Sequence, residues 1–421
     1  MANISFLLNQ FPSGGVERVT INIIPHLTAR GHRVFIFAHE LNRQHLTHFN
    51  LSVEYILIPY EHWRNENGDF IEKAVKEYCI DLFFAPVVSP DYIFRLKEKK
   101  MCKVCYVSHG APFYEVKELA YEIHQRWQLP KRSLRRLMWL VFDTLRLKVG
   151  LCNKDVAARY KKRYDELDAY GVLFEEYAEI IARKIGVGDA GAKFFALPNS
   201  LPQNSDVELV SQRKKQIIFV GRLTYLDKRV DRLLQVWKKI YNKFPEWELC
   251  IIGSGPEEKN LKQYVAENGL SRVEFINFTP TPEQYYKESE ILCLTSDFEG
   301  FGMVLLEAQQ YGCATIAFDC SYGVRDILSP NWKNGVFVPN GNINAYAKAL
   351  SKLMTDEELR RRIQKNGLDN VKRFSIENSV ECYEALIQKL CPKKSTLHMQ
   401  CLFFWNSQNG VILLSIQNKF Q

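Results

Sequence analysis

Residues 291–308 read Ile-Leu-Cys-Leu-Thr-Ser-Asp-Phe-Glu-Gly-Phe-Gly-Met-Val-Leu-Leu-Glu-Ala. The apolar start predicts a strand that ends at Ser296, the glycines predict a turn, and the run from Met303 predicts a helix. A buried strand that leads through a loop into a helix is the repeating unit of a parallel α/β sheet. This stretch therefore indicates the α/β fold class.

The same alternation of short apolar strands and helical patterns extends along the chain. The strands predicted in the first half are Ile4–Leu8, Arg33–Ala38, Val53–Ile58, Ile80–Ala85 and Lys103–Val107. Those predicted in the second half are Gln216–Val220, Trp247–Ile252, Val273–Phe278, Ile291–Thr295 and Ala314–Phe318. Two such sets predict two doubly wound domains, with ligands beyond the carboxyl ends of the strands.

A segment rich in turn-forming residues separates the two sets. Residues 198–206 read Pro-Asn-Ser-Leu-Pro-Gln-Asn-Ser-Asp, which predicts a linker. We expect an N-terminal domain over residues 1–205 and a second domain over residues 206–375. A helix over residues 376–391 is expected to return to the N-terminal domain, and the tail over residues 392–421 receives no role.

The composition is that of an ordinary globular chain. Of the 421 residues, 46% are hydrophobic and 25% are charged, which excludes a disordered, collagen-like or coiled-coil protein. The sequence has no uninterrupted run of about 18 apolar residues, so no membrane-spanning helix is predicted. The N-terminus lacks the charged and apolar regions of a signal peptide, so we expect a cytoplasmic location.

The stretch 291–308 also contains candidate binding residues. Glu299 lies on the predicted turn, and Glu307 lies in an apolar run where a carboxylate needs a partner. Both are candidates for binding ligand hydroxyls, and solvated surface acids are the alternative. The candidates that share the turn and the helix start are Gly300, Phe301, Gly302, Met303 and Val304. Amides at a helix N-terminus can bind phosphate or sugar oxygens.

Two cations follow the first predicted strand of the second half. Arg222 lies at the end of that strand, and Lys228 opens the next helix six positions later. The guanidinium fork and the compact ammonium suit the two phosphates of a diphosphate. A pair of solvated surface cations is the alternative interpretation.

Other candidates also follow predicted strands. Gly14 and Gly15 precede the first helix, and Gly253 begins a Gly-Ser-Gly-Pro turn. Glycines let backbone amides approach a phosphate, although tight turns need glycine for steric reasons as well. His109 could donate a hydrogen bond to a ligand hydroxyl or serve a structural role. The remaining histidines form no convincing metal site.

One stretch of the first half is both basic and aromatic. The chain has a formal net charge of +8. Between Arg126 and Lys148, seven basic residues accompany one acid. The candidates for contact with a membrane or an acceptor are Arg132, Arg135, Arg136 and Trp139. Such a helix can lie on an anionic membrane surface, and a core-facing helix with a solvated basic edge is the alternative. No recognisable nucleic-acid module accompanies the charge, so no nucleic-acid partner is expected.

Together these motifs resemble the family 4 retaining glycosyltransferases over roughly residues 3–390. The matching motifs are Gly14–Arg18, His109-Gly110, Pro198-Asn199, Val220–Leu223 with Lys228, Gly253–Pro256, and Glu299–Gly302 with Glu307. The resemblance implies the GT-B fold, in which two Rossmann-like domains face each other across a cleft. It also implies that the second domain binds a nucleotide-sugar donor and that the first domain receives the acceptor.

The resemblance further implies a role for each candidate. Arg222 and Lys228 would hold the diphosphate, Glu307 the ribose, Glu299 the donor sugar, and His109 the transferred sugar. The amides of Gly302–Val304 would meet sugar and phosphate oxygens, and Gly15 would approach the phosphate. Arg222, Lys228, Glu299 and His109 are the expected catalytic residues. The reaction would retain the anomeric configuration and need neither a metal nor another cofactor.

Residues 318–327 sharpen the expected substrate. They read Phe-Asp-Cys-Ser-Tyr-Gly-Val-Arg-Asp-Ile and resemble Phe-Asp-Cys-x-x-Gly-Pro-x-Glu-Ile in members that build surface polysaccharide or glycan lipids. Val324 replaces the usual proline and Asp326 the usual glutamate, which leaves the donor open. We expect transfer of a hexose or N-acetylhexosamine, from a UDP-sugar, to a growing lipid-linked glycan. The expected location is cytoplasmic, with peripheral attachment to the inner face of the membrane.

Two other functions are compatible with the same motifs. One is a non-hydrolysing nucleotide-sugar epimerase, which would need no acceptor. The other is a non-catalytic, membrane-recruited module that binds a sugar nucleotide without turnover.

Overall fold

The computed structural model describes residues 1–12, 15–42, 46, 49, 51–59, 66–85, 91–128, 134–188, 191–201, 212–279 and 281–392. These residues divide into two compact units. Unit 1 contains Met1–Val107, Glu166–Ala169 and the described residues from Tyr383 onward. Unit 2 contains Ser108–Asp165 and Tyr170–Cys382. Most of the predicted linker and the tail beyond residue 392 lie outside the described residues.

The first sheet of the described chain has seven strands. They are β1 (Asn3–Phe11), β2 (Arg33–Leu41), β3 (Glu54–Leu57), β4 (Leu82–Ala85), β5 (Lys103–Val107), β6 (Ala169–Val172) and β7 (Phe194–Ala196). Their order is β3-β2-β1-β4-β5-β6-β7. The pairs β1–β2, β1–β4, β2–β3, β4–β5 and β6–β7 are parallel. Ile4 aligns with Val34 on one side and Leu82 on the other.

Helices connect these strands. They are α1 (Gly15–Ala29), α2 (Glu66–Glu77), α3 (Tyr92–Glu98), α4 (Tyr114–Gln128), α5 (Leu134–Lys148), α6 (Leu151–Glu166) and α7 (Glu175–Ile185). Helix α1 contains Pro25. Gly186 ends α7 in the left-handed conformation, with φ of 73°, which glycine adopts without strain.

The second sheet has six strands in the described chain. They are β8 (Lys214–Val220), β9 (Glu248–Ile252), β10 (Val273–Ile276), β11 (Ser289–Leu294), β12 (Ala314–Asp319) and β13 (Val336–Pro339). Their order is β10-β9-β8-β11-β12-β13. All five neighbouring pairs are parallel.

Helices alternate with the strands of the second sheet and follow its last strand. They are α8 (Val230–Ile240), α9 (Glu258–Glu267), α10 (Glu283–Glu288), α11 (Met303–Gln310), α12 (Tyr322–Leu328), α13 (Ile343–Thr355), α14 (Glu357–Val371) and α15 (Ile376–Leu390). Helix α8 illustrates how such a helix packs on the second sheet. Its residues Val230, Leu233 and Trp237 recur at helical spacing and are buried with Phe219 of β8 in one core. Burial of each such side chain contributes about 1.5–3 kcal/mol.

The structure confirms the α/β fold class. Each strand predicted from the sequence is present, with bounds that shift by a few residues. The sequence analysis missed β6, β7 and β13. Each has only three or four residues, and strands of this length give a weak hydrophobic pattern, although β3, β4 and β10 are equally short and were predicted. Among the described residues, no helix is both long and apolar enough to cross a membrane.

The predicted domain boundaries stay predictions, but one contact bears on the last helix. Glu384 on α15 lies in unit 1, and its Oε2 is 2.9 Å from His32 Nε2. Tyr383 packs beside Phe84 of β4, with ring centroids 5.6 Å apart. The end of α15 thus packs on residues from the start of the chain.

Candidate active site

Three neighbouring strands of the second sheet lead into residues that the sequence analysis singled out. Arg222 follows β8, Gly253 follows β9, and Glu299 lies on the loop after β11. The strand order reverses between β8 and β11. Doubly wound sheets bind ligands beyond the carboxyl ends of their strands at such a switch point. All three residues belong to unit 2.

Lys228 and Glu299 form an ion pair at this edge of the sheet. Lys228 Nζ lies 2.6 Å from Glu299 Oε1, and the two side chains are 18% and 11% exposed. Ser296 Oγ donates to the same carboxylate oxygen at 2.7 Å. Burial lowers the pKa of Lys228, but the charge and hydrogen bond of Glu299 outweigh burial, so the pKa is raised. Lys228 is therefore a charged ammonium at neutral pH.

Arg222 is the more open of the two predicted cations. Its side chain is 75% exposed, and its Nη2 lies 3.1 Å from Asp227 Oδ2. The hydroxyl of Thr224 donates to the other oxygen of Asp227. Asp227, the partner of Arg222, directly precedes Lys228 in the chain, and the charge of Arg222 opposes the rise in the pKa of Lys228. A guanidinium has five N–H donors, which leaves donors for a further anion.

Gly253 has a steric reason to be glycine. Its φ is 145°, and a Cβ at this position would lie 1.9 Å from the carbonyl oxygen of Gly221. A Cβ at Gly255 would lie 2.3 Å from the carbonyl oxygen of Leu223. The close approach of two neighbouring strand exits thus accounts for these glycines. The donor contact of Gly253 stays a prediction.

Gly300 brings the turn of Glu299 against the loop of His109. A Cβ at Gly300 would lie 2.1 Å from the carbonyl oxygen of His109 and 3.2 Å from Cα of Gly110. A side chain at this position would displace one of the two loops. The structure therefore brings together two motifs that the sequence analysis found separately.

His109 is a neutral imidazole held by Asn199. Its Nδ1 lies 3.3 Å from Asn199 Oδ1. Burial lowers the pKa of His109 to about 4, and the hydrogen bond to Asn199 offsets only part of this shift. Because an amide oxygen only accepts, the proton of the neutral ring belongs on Nδ1. In this tautomer Nε2 can accept from a ligand hydroxyl, and the predicted hydrogen bond of His109 with a ligand stays a prediction.

Glu307 has the partner that its apolar surroundings require. The hydroxyl of Tyr286 donates to Glu307 Oε2 at 2.9 Å. Burial, together with the charge of Glu307, raises the pKa of Tyr286 well above its usual value, so the phenol keeps its proton. The predicted contact of Glu307 with a ribose stays a prediction.

The turn after Glu299 leads directly into α11. Gly302 caps the helix with φ of 97°, a conformation that glycine adopts without strain. The ring of Phe301 is buried and stacks on Phe174 at 4.8 Å. Met303 and Val304 are half-buried at the helix start. Amides of a first helical turn have no acceptor within the helix, so they are available to a ligand. Their contact with sugar and phosphate oxygens stays a prediction.

Tyr177 on α7 is a site residue that the sequence analysis missed. Its hydroxyl donates to the carbonyl of Gly300 at 2.8 Å and accepts from the amide of Gly323 at 3.3 Å. Burial raises the pKa of Tyr177 to about 12. A Cβ at Gly323 would lie 2.8 Å from the carbonyl oxygen of Phe301. That glycine was visible in the sequence, but its partner on α7 was not.

Asp297 anchors the start of the same turn, and it was also missed. Its carboxylate lies 2.9 Å from Arg229 Nη1 and 2.7 Å from Arg232 Nη1. Lys117 Nζ donates to the backbone carbonyl of Asp297 at 3.1 Å. Three cations from two helices and a loop thus hold the backbone that presents Glu299. Only the fold brings them together, because α4 lies far away in sequence.

Two further predicted residues, Gly14 and Gly15, precede or begin the first helix. Gly15 begins α1 in unit 1, and a Cβ there would meet nothing within 4 Å. Gly14 lies outside the described residues. Within the described part of the chain, no group of three or more His, Cys, Asp or Glu side chains could hold a metal ion. The expected independence from metals stays a prediction.

The predicted membrane contacts fall on or beside α5. Arg132 lies outside the described residues, and the side chains of Arg135 and Arg136 do as well. Trp139 is exposed. Its ring meets that of Phe142 edge to face, with centroids 5.8 Å apart.

Two protein-family models match the chain, one in each half. The model described as Glycosyltransferase Family 4 matches residues 13–164. The model described as Glycosyl transferases group 1 matches residues 202–369. The second match contains Arg222, Lys228 and Glu299.

Two relatives illustrate the range of similarity. An uncharacterized glycosyltransferase of Haemophilus influenzae is 34% identical over 196 residues, which cover 46% of this chain and 54% of the relative. The chain thus spans about half the length of that relative. A Campylobacter jejuni protein is 25% identical over 93% of this chain and 99% of its own. Its name is GalNAc-alpha-(1->4)-GalNAc-alpha-(1->3)-diNAcBac-PP-undecaprenol alpha-1,4-N-acetyl-D-galactosaminyltransferase.

Solved structures support the fold. The Anabaena protein Alr3699/HepE, crystallised in complex with UDP, is 16% identical and has a TM-score of 0.65. The match covers 92% of this chain and 100% of that protein. At this identity the similarity shows the fold alone, and the two parallel α/β sheets match the GT-B fold class that the resemblance implied.

Proposed function

Because the chain belongs to the family 4 glycosyltransferases, with a group 1 domain in its second half, we propose that it transfers a hexose or an N-acetylhexosamine to a growing, lipid-linked glycan. The donor in this proposal is a UDP-sugar, and the anomeric configuration is retained. The product belongs to a surface polysaccharide, and transfer takes place at the cytoplasmic face of the membrane. The enzyme class follows from the family, whereas the donor, stereochemistry and acceptor are proposed.

One observation carries the proposal: the buried Lys228–Glu299 pair lies beside the exposed Arg222 at a switch point of the sheet. The Lys228 ammonium is 2.6 Å from Glu299, and the Arg222 side chain is 75% exposed. A diphosphate on these two cations would lie beyond the carboxyl ends of β8 and β11. This arrangement is suited to an anionic leaving group.

The proposed reaction has balanced bonds and protons. The bond between the anomeric carbon and the β-phosphate oxygen of the donor breaks, and a bond from the same carbon to an acceptor hydroxyl oxygen forms on the same face. The departing phosphate oxygen takes the proton of the acceptor hydroxyl. The UDP leaves with that proton, so the total charge is unchanged and no protein side chain has to act as a general base.

The protein's part in this reaction is to stabilise charge and hold the sugar. Arg222, Lys228 and the amides at the start of α11 would stabilise the charge that develops on the diphosphate. Glu299 keeps Lys228 oriented through its 2.6 Å contact. The acceptor nitrogen Nε2 of the neutral His109 would receive a hydrogen bond from a sugar hydroxyl.

The names of similar proteins support the choice of substrates. The Anabaena structure contains UDP, which supports a uridine nucleotide here. The name of the Campylobacter relative includes a PP-undecaprenol acceptor and N-acetylgalactosamine, which supports an N-acetylhexosamine and a lipid-linked acceptor. The second family match contains the cations that would hold the diphosphate.

The donor can be identified by thermal shift of the full chain with UDP-, GDP- and ADP-sugars. A ligand that binds only the folded form raises Tm, by an amount that grows with its concentration above Kd. A UDP-sugar is expected to give the largest rise, and Arg222→Ala to reduce it. Arg362→Ala removes an exposed arginine from α14 and serves as the matched control.

Transfer is then tested with the best donor and a pyrophosphate-linked lipid glycan. We expect UDP release that depends on the acceptor and a product whose new linkage keeps the donor's configuration, read by NMR. Acceptor-independent epimerisation would instead identify an epimerase. Donor binding without transfer to any lipid-linked glycan would support the non-catalytic module.

A further inference from the structure

Helix α5 presents large apolar side chains to solvent instead of to the core. Met138, Phe142 and Leu145 recur at intervals of four and three residues and share one side of the helix, and Val149 directly follows its last residue. They are 65%, 50%, 54% and 66% exposed. Trp139, beside them, is 56% exposed. These five residues form the outer stripe, a contiguous apolar surface of a kind that marks interaction sites.

The opposite side of α5 explains how the helix is held. Leu140 is buried, and the indole of Trp127 on α4 donates to Thr144 Oγ1 at 2.9 Å. Arg126, also on α4, lies 2.6 Å from Asp143. Helix α5 thus has an inward side that already packs on the protein. The outer stripe is therefore a second apolar side, which needs a different partner.

Basic residues lie on both sides of the outer stripe. From the helical spacing, Arg146 and Lys148 fall on opposite edges of it. The guanidinium of Arg146 lies 5.6 Å from the ring centroid of Phe142 and is paired with Asp155 Oδ2 at 2.5 Å, whereas Lys148 is exposed. Lys154, one turn into α6, is also exposed. An apolar stripe with basic edges matches the interface of an anionic bilayer, where acyl chains lie beneath negative headgroups.

The same charges disfavour a second copy of the chain as the partner. Two copies that pair through this surface would face basic edges of the same sign, which opposes association. The region from Arg126 to Lys148 has seven basic residues against one acid. Lipid headgroups of opposite charge remove this repulsion.

We propose that the outer stripe docks the protein on the surface of an anionic bilayer, with its apolar side chains among the acyl chains and its basic edges at the headgroups. The inference deepens the proposed function, because a lipid-linked acceptor is presented at such a surface. It assigns the main contact to the apolar residues of α5, whereas the sequence analysis emphasised Arg132, Arg135 and Arg136.

The test compares vesicle binding of two variants with that of the full chain. Met138→Gln, Phe142→Gln and Leu145→Gln are combined, since Gln removes apolar surface and keeps helix propensity. The matched control combines Leu57→Gln and Phe278→Gln, which change exposed apolar residues elsewhere. Sedimentation uses vesicles of phosphatidylcholine alone and of equal parts phosphatidylcholine and phosphatidylglycerol, without sugar nucleotide or acceptor.

The wild type and the control variant should bind the anionic vesicles and bind the neutral vesicles much less. The triple variant should lose at least about tenfold in partitioning, because several buried methylene groups are removed from the lipid. Equal binding of the triple variant, or an equal loss in the control, overturns the proposal. A wild type that does not bind anionic vesicles also overturns the proposal. So does a wild type that is larger than a monomer in solution while the triple variant is a monomer. Since vesicle binding needs no turnover, these results do not depend on whether the proposed transfer occurs.

Discussion

The strand exit at Arg222 and the turn at Lys228 hold two cations six residues apart in very different surroundings. Arg222 is 75% exposed and contacts Asp227 at 3.1 Å, whereas Lys228 is 18% exposed and contacts Glu299 at 2.6 Å. The exposed guanidinium can move to meet a ligand. The enclosed ammonium is already positioned and charged. In the proposed function, Lys228 is part of a preformed site and Arg222 completes it when the donor binds.

Replacement of Lys228 by Ala should have the largest effect. It leaves the partly buried carboxylate of Glu299 without its cation, which should lower the free energy of unfolding by roughly 2–4 kcal/mol. It also removes a charge next to the leaving diphosphate, so kcat should fall about a hundredfold or more. Urea unfolding and initial rates measure the two effects.

Glu299→Gln is the control for the stability part of that prediction. Gln keeps an oxygen that accepts from the Lys228 ammonium but loses the opposite charge, so Glu299→Gln should cost less unfolding free energy than Lys228→Ala. A Lys228→Ala variant as stable and as active as the wild type would show that this pair is a surface contact without a role.

Arg222→Ala should lower activity with little cost in stability. Because the side chain is largely exposed, the free energy of unfolding should change by less than about 0.5 kcal/mol. The loss of a charge-assisted contact with the diphosphate should reduce kcat/KM at least about tenfold. Salt should weaken donor binding more in the wild type than in the variant, because the exposed contact is screened.

Two variants sharpen the interpretation of Arg222. Arg222→Lys keeps the charge but loses the fork, so its kcat/KM should fall between those of the wild type and Arg222→Ala. Arg362→Ala should match the wild type in both rate and salt dependence. If Arg362→Ala loses as much activity as Arg222→Ala, the effect arises from net charge and not from a clamp.

The sequence predicted the elements of this comparison but not their supports. Hydrophobic periodicity identified β8 and β11, and the glycines identified the turn that carries Glu299. The partners of the turn come from elsewhere in the chain, for example Tyr177 from α7 and Lys117 from α4. A contact of this kind depends on tertiary packing, which has no local periodic signal.

Glycine was the least informative of the predicted signals. Gly253 and Gly300 both follow strands of the second sheet, and both are in close contact with backbone. Gly253 meets Gly221, which follows the neighbouring strand, whereas Gly300 meets His109 from the other half of the sequence. The sequence alone could not distinguish a glycine required by sheet packing from one that brings two functional loops together.

Tyr177→Phe tests whether the turn of Glu299 needs its distant support. The change removes one hydroxyl, which donates to Gly300 and accepts from Gly323, and should cost about 1 kcal/mol of unfolding free energy. A slightly displaced Glu299 should lower kcat roughly threefold to tenfold while the donor KM changes less. Tyr177 is a positioning residue in this interpretation.

Tyr92→Phe is the matched control for Tyr177→Phe. Tyr92 is buried in unit 1, and its hydroxyl has no hydrogen-bond partner among the described residues. Its removal should leave both stability and kcat close to those of the wild type. Equal losses in the two variants would mean that a phenol hydroxyl in the core matters for packing and not for the turn.

The last expected effect is on stability alone and concerns the pH dependence that His109 gives to the enclosed part of the site. Its pKa is lowered to about 4 in the folded protein, while in the unfolded chain it is near 6.5. Between these values the unfolded state binds a proton that the folded state does not, so stability falls as pH is lowered from about 6.5 towards 4. His109→Gln keeps an N–H donor for Asn199 and removes the titrating group. The difference in unfolding free energy between pH 7 and pH 5 should therefore be smaller in this variant, and parallel curves for variant and wild type would place the imidazole in solvent.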